Sequence, residues 1–179
     1  AVLLPFEIAG PIESYAHLRL HNGTIWRWNR MLIGFDDRGR PHLRIEQRVM
    51  PAGPSIVDMI ANAAFYYGTV LMLMRQPLAP EAQIAFADAR ENFYRAARYG
   101  LDAQLRWLGG QRVSAGELLE QQLLPLARAG LERLNLSTAD VARYMQVIAG
   151  RLRSRRNGAV WQLAHHARHH DFARLTADY

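Results

Sequence analysis

Arg44, Glu46 and Arg48 fall on every second position of PHLRIEQRVMPAG, residues 41–53. An extended chain sends alternate side chains to opposite faces, so these three share one face, while Leu43, Ile45 and Val49 share the other, core-directed face. A guanidinium is a fixed fork of donors suited to phosphate or carboxylate. A carboxylate one pleat away can hold magnesium or orient an arginine. Opposed charges this close suit chemistry on ATP. The same x-R-x-E-x-R spacing also suits a salt-bridge row facing water, or charges that guard an edge strand. Spacing alone leaves these readings open.

A second group lies in DARENFYRAARYGLD, where Asn92, Arg95 and Tyr99 form one helical stripe. Glu91 is one turn before Arg95, and Arg98 is near the carboxyl end. An arginine and an amide here could hold a substrate carboxylate. The plainer alternatives are a surface Glu91–Arg95 pair and an arginine that favours the helix dipole. The tail WQLAHHARHHDF spaces His165/His169 and His166/His170 four apart, yet H-E-x-x-H is absent and there is no cysteine. A solvated or partly packed histidine face accounts for it better than zinc. No G-x-S-x-G elbow, phosphate loop or dinucleotide fingerprint occurs.

The elements that must carry these residues divide unevenly. Residues 15–21, 24–33 and 42–50 read as strands, with Asn22-Gly23 as the first hairpin turn and DDRGRP as the second connection. Trp26 and Trp28 then share a face with Arg30. After Met50 the period becomes helical. Pro54 suits the first turn of a helix to about Met74, whose apolar set is Ile56, Ile60, Ala63, Ala64, Tyr67, Val70, Leu71 and Met74. The methionines and aromatics from Met59 to Met74 read as core. Further helices are expected at 80–99, ending at Gly100, and at 114–133, 137–153 and 159–176.

The fold class is therefore α+β: a strand region at 15–50 and a helical region at 54–176, with two or three antiparallel strands. The 179 residues make one domain, or the C-terminal fragment of a larger catalytic domain, and a fragment is the expectation. The sheet would be completed by other strands of a parent chain or by a partner copy. A net charge of +6 suits an anionic partner such as nucleotide, phosphate or nucleic acid, but no nucleic-acid module accompanies it, and no specific nucleic acid is expected. Asp58, Asn62 and Thr69 interrupt the longest apolar run, so a buried helix is expected rather than a membrane span.

Four segments, NGTIWRWNR, LRIEQRVMPAGPSIVDMIANAA, ENFYRAARYGLD and NGAVWQLAHHA, occur in an order that resembles the C-terminal part of the glutamate–cysteine ligase family 2 proteins and their carboxylate–amine ligase relatives. The resemblance extends from about residue 17 to 176. It implies a glutamine-synthetase-type fold, with an antiparallel sheet as the active-site floor and helices behind it. It also implies ATP, Mg2+, and amino-acid carboxylate and amine substrates joined through an acyl phosphate. By the same resemblance, Glu46 and Arg48 fit catalytic strand positions, with Glu46 also a metal ligand. Trp26, Arg30, Asn92 and Arg98 fit substrate-binding positions, and Arg44 joins them as a substrate-binding candidate from its spacing on the charged face. The other ATP and metal ligands would come from the missing N-terminal part of the parent, so this piece alone is expected to be inactive. A cytoplasmic homo-oligomer is expected. The alternative is a non-catalytic interaction or assembly module.

Overall fold

The computed structural model describes residues 10–24, 28–50 and 53–179 of the chain. Among the described residues the architecture is α+β, mostly helical, with two small antiparallel sheets of two strands each. The chain divides into two compact units, Ala1–Ala52 and Gly53–Tyr179.

In the first unit a 3-10 turn, Ile12–Ser14, leads into helix α1, Ala16–Thr24. Strands β1, Asn29–Phe35, and β2, Pro41–Gln47, follow as an antiparallel hairpin. The Asp36 carboxylate organises their turn: its Oδ1 accepts the N–H groups of Arg38 and Arg40, each at 2.9 Å. Those bonds, the Arg40 N–H first, hold its pKa below the ordinary aspartate value.

The DDRGRP connection is present, but the first expected strand is not. Residues 16–24 are helical, and Asn22-Gly23 lies inside that helix instead of forming a hairpin turn. Contacts distant in sequence accompany this outcome: the Arg30 guanidinium binds the helix's terminal carbonyls, and Arg19 lies 5.5 Å from the centre of the Phe35 ring. Local alternation carries no trace of either. The second strand begins at Asn29, not at 24, and the third ends at Gln47.

The hairpin also inverts the expected burial. Arg30 opposes Glu46 and Leu32 opposes Arg44 on one face, while Met31 opposes Ile45 and Ile33 opposes Leu43 on the other. Leu43 is 66% exposed and Ile45 55%, so the face taken as core-directed is open, whereas the Arg30 side chain is only 15% exposed. The charged face is the more protected one near Arg30.

The second unit is built on a three-helix core. Helix α2, Ile56–Leu73, packs against α6, Leu124–Arg133, and α7, Thr138–Ser154. Ser55 caps α2 by accepting the Asp58 N–H, which places Pro54 before the cap and not in the first turn. Ala61, Ala127, Leu131, Val141, Met145 and Ile148 form the buried cluster. The buried positions of α2 itself are Ala61, Gly68 and Thr69, while Ile56, Tyr67 and Met74 are 72%, 61% and 73% exposed. The expected core stripe of large side chains is thus corrected to a small-residue stripe. The reason is close approach: a methyl group on Gly68 would overlap the Ala127 carbonyl, and one on Gly130 would overlap Gly68. By length and a mean hydropathy of 1.5, α2 also resembles a membrane span.

Between these helices come a short α3, Pro80–Gln83, and α4, Phe86–Tyr99, separated by extended Ile84 and Ala85, so the expected 80–99 helix is broken. A second hairpin was not anticipated: β3, Gln104–Arg106, pairs with β4, Arg112–Ser114. Gly109 and Gly110, at φ +68° and +78°, supply its turn without the Cβ clash another residue would suffer. A capping box joins Ser114 and Glu117 at the start of α5, Ala115–Leu118. A wide π-helical turn, Leu119–Leu123, then leads into α6 and its Pro125. Helices α8, Gly158–His169, and α9, Phe172–Asp178, replace the single helix expected at 159–176, with a break at His170, where φ is +50°.

Candidate functional site

Two arginines converge on one carboxylate in the first hairpin. The register sets Arg30 directly opposite Glu46, and Arg30 Nε donates to Glu46 Oε2 at 2.5 Å. Just past the strand end, Arg48 Nη2 reaches Glu46 Oε1 at 2.9 Å and Oε2 at 3.0 Å. The Arg48 N–H donates to the Trp28 carbonyl at 2.8 Å, which fixes the backbone where the strand stops. The hydrogen bond from Arg48, then that from Arg30, holds the Glu46 carboxyl below its ordinary pKa. Glu46 is therefore a carboxylate at neutral pH, and the triad carries one net positive charge.

The two guanidiniums have different remaining capacity. Arg30 Nη1 donates to the Asn22 carbonyl at 2.6 Å and to that of Gly23 at 3.3 Å, closing the carboxyl end of α1. That cation also suits the negative end of the helix dipole. Arg48 Nε, by contrast, is buried and has no hydrogen-bond partner among the described residues. Buried N–H groups are nearly always satisfied, so an unpaired one marks a place for an acceptor. Arg44 lies on the same face, exposed, next to Gly34 and His42, with no ion-pair partner among the described residues.

Arg30, Glu46 and Arg48 are thus brought together, and Arg44 shares their face. Trp26 lies outside the described residues. Asn92 and Arg98 belong to the second unit. Both functions of the Asn92 amide engage one backbone position: Nδ2 donates to the Arg106 carbonyl at 2.5 Å, and Oδ1 accepts the Arg106 N–H at 3.0 Å. Asn92 therefore pins β3 to α4. Arg98 sits in the last turn of α4, with its guanidinium 5.4 Å from the centre of the Tyr99 ring. The Glu91–Arg95 surface pair is present at 2.9 Å.

Among the described residues no group of three potential ligand side chains is placed to hold a metal ion. Two guanidiniums already bind the Glu46 carboxylate, so a divalent cation there would have to displace them. In the tail, His165 stacks on Trp161 with ring centres 4.9 Å apart, and its Nε2 lies 2.9 Å from Asp178 Oδ2. That links α8 to α9. What the sequence missed is the arginine pair Arg106–Arg112 across the second hairpin; Gly109-Gly110 was the signal that could have found it. Comparison with protein-family models, curated proteins and solved structures found no match.

Proposed function

We propose that the parent protein is an ATP-dependent carboxylate–amine ligase of the glutamate–cysteine ligase type, and that the first hairpin carries part of its anion-binding floor. The observation behind this reading is Arg48: Glu46 holds its Nη2, while its buried Nε has no partner among the described residues. With its Nη2 held by Glu46, this guanidinium keeps donor capacity for a phosphate or carboxylate oxygen, which would reach the buried Nε once the groups covering it move aside. Glu46 acts by aiming Arg48, which its two arginine contacts favour over metal binding. Arg30 fixes Glu46 and ties it to α1.

In the proposed reaction a substrate carboxylate oxygen attacks the γ-phosphorus of ATP and ADP leaves, giving an acyl phosphate. An amine nitrogen then adds to the acyl carbon, loses a proton and expels phosphate. Magnesium, held by residues elsewhere in the parent, would neutralise the phosphate oxygens. Arg48 stabilises the anionic oxygens, with Arg44 available at the same face. The full-length protein should release ADP in a manner dependent on both an amino acid and an amine. Absence of that dependence over a broad amino-acid panel would reject the activity.

The open apolar face of Met31, Leu43 and Ile45 favours a second, compatible reading, in which the hairpin docks against further strands of the parent or of a partner copy. A folded, strictly monomeric full-length protein with that face still open to solvent would reject it.

A further inference from the structure

The second hairpin places like charges against each other. Arg106 and Arg112 are direct cross-strand partners, and both are exposed, while Leu105 and Val113 are buried on the opposite face. Like charges directly opposite destabilise a strand pair, and this pair is only three residues long on each side. Nearby carboxylates relieve it incompletely. Asp88 reaches Arg106 at 3.3 Å, and Glu91 is taken by Arg95. The Arg112 side chain has no carboxylate or hydrogen-bond partner among the described residues.

These side chains line one groove, of about 390 Å3, between α4 and the hairpin. That volume falls within the range of small-molecule sites. Its lining holds Arg95, Arg106 and Arg112 against Asp88 and Glu91, leaving one net positive charge. Gln104 adds a side-chain amide at the same groove. The Asn92 clamp on the Arg106 backbone fixes the strand that presents Arg106. An oxyanion between the two guanidiniums would turn their repulsion into a pair of charge-assisted contacts.

We propose that this groove binds a small oxyanion, carboxylate or phosphate, between Arg106 and Arg112. The site uses residues of the helical unit alone, so it stands or falls independently of the ligase reading.

Calorimetric titration of the chain with inorganic phosphate, glutarate and neutral glutaramide tests it. Saturable binding of phosphate alone assigns a phosphate ligand, and of glutarate alone a carboxylate; glutaramide should not bind. Arg112→Gln should weaken binding at least tenfold, the scale of one charge-assisted contact. Arg133→Gln, an equal charge change outside the groove, should leave it unaltered. Circular dichroism establishes that each variant is folded, and Arg112→Lys serves if the glutamine variant is not. The lysine variant keeps the charge and loses the fork, so it too should bind more weakly. The proposal is overturned if neither anion binds at millimolar concentration, if both glutamine variants weaken binding equally, or if Arg112→Lys keeps full affinity.

Discussion

Arg30 and Glu46 face each other across the first hairpin, 2.5 Å apart, and the same guanidinium closes the carboxyl end of α1. One side chain thereby links a helix, a strand and the carboxylate that aims Arg48. Arg30→Ala should release the end of α1. Amide exchange at residues 20–24 should accelerate about tenfold, the scale of one charge-assisted hydrogen bond of ~1.5 kcal/mol to the Asn22 carbonyl. Unchanged exchange there would separate α1 from the charged cluster.

The α2–α6 contact makes a sharper prediction. A methyl group at Gly68 meets backbone, which cannot swing aside. Gly68→Ala should destabilise the helical unit by about 1–3 kcal/mol or more. Gly150, inside α7, has no neighbouring atom near a new methyl group. Gly150→Ala should stabilise by about 0.5–1 kcal/mol, through helix propensity alone. Denaturant unfolding of the two variants would show opposite signs.

That contrast shows what the sequence could convey. Period and punctuation located α2, the end of α4 and α7 because Pro54, Gly100 and Ser137 lie within a few residues of the helix ends they mark. The buried face of α2 was misread because large apolar residues outweighed Ala61 and Gly68. Only the approach of α6 makes the small side the inner one. The alternation at 16–21 mimicked a strand, whereas Arg30 and Phe35, farther along the chain, make the contacts seen with the helix. At the candidate site, the shared face of Arg44 and Glu46 was legible from period two. The bond from Arg30 to Glu46 required the register.

Acid should loosen the helical unit through Asp58. The Ser55 hydroxyl first, and then Arg151 at 2.5 Å, hold its pKa below the ordinary value of 3.8. A carboxyl whose folded pKa is depressed stabilises fully above its unfolded value, and that contribution is lost as pH falls through the folded value. Thermal unfolding should therefore be steady from neutral pH down to about pH 4 and decline below it. Arg151→Met, which also frees Asn62, should lower Tm at neutral pH and flatten the acid decline. An acid decline of wild-type steepness in that variant would remove the ion pair from the explanation.

The central proposal is that Arg48 receives an anionic oxygen during the proposed ligase reaction, and the turnover of Arg48→Ala in the full-length protein tests it most directly. Arg38→Ala, the same loss of one positive charge at the exposed turn of the hairpin, is the control, and it should change stability by no more than about 0.5 kcal/mol. Losing a transition-state donor costs roughly 3–4 kcal/mol, about two to three powers of ten in rate. The account predicts that loss in kcat/KM for folded Arg48→Ala, with ADP release still substrate-dependent in Arg38→Ala. Near wild-type turnover by Arg48→Ala would contradict it, and would leave the Arg30–Glu46–Arg48 cluster as the fastening of a hairpin to its helix.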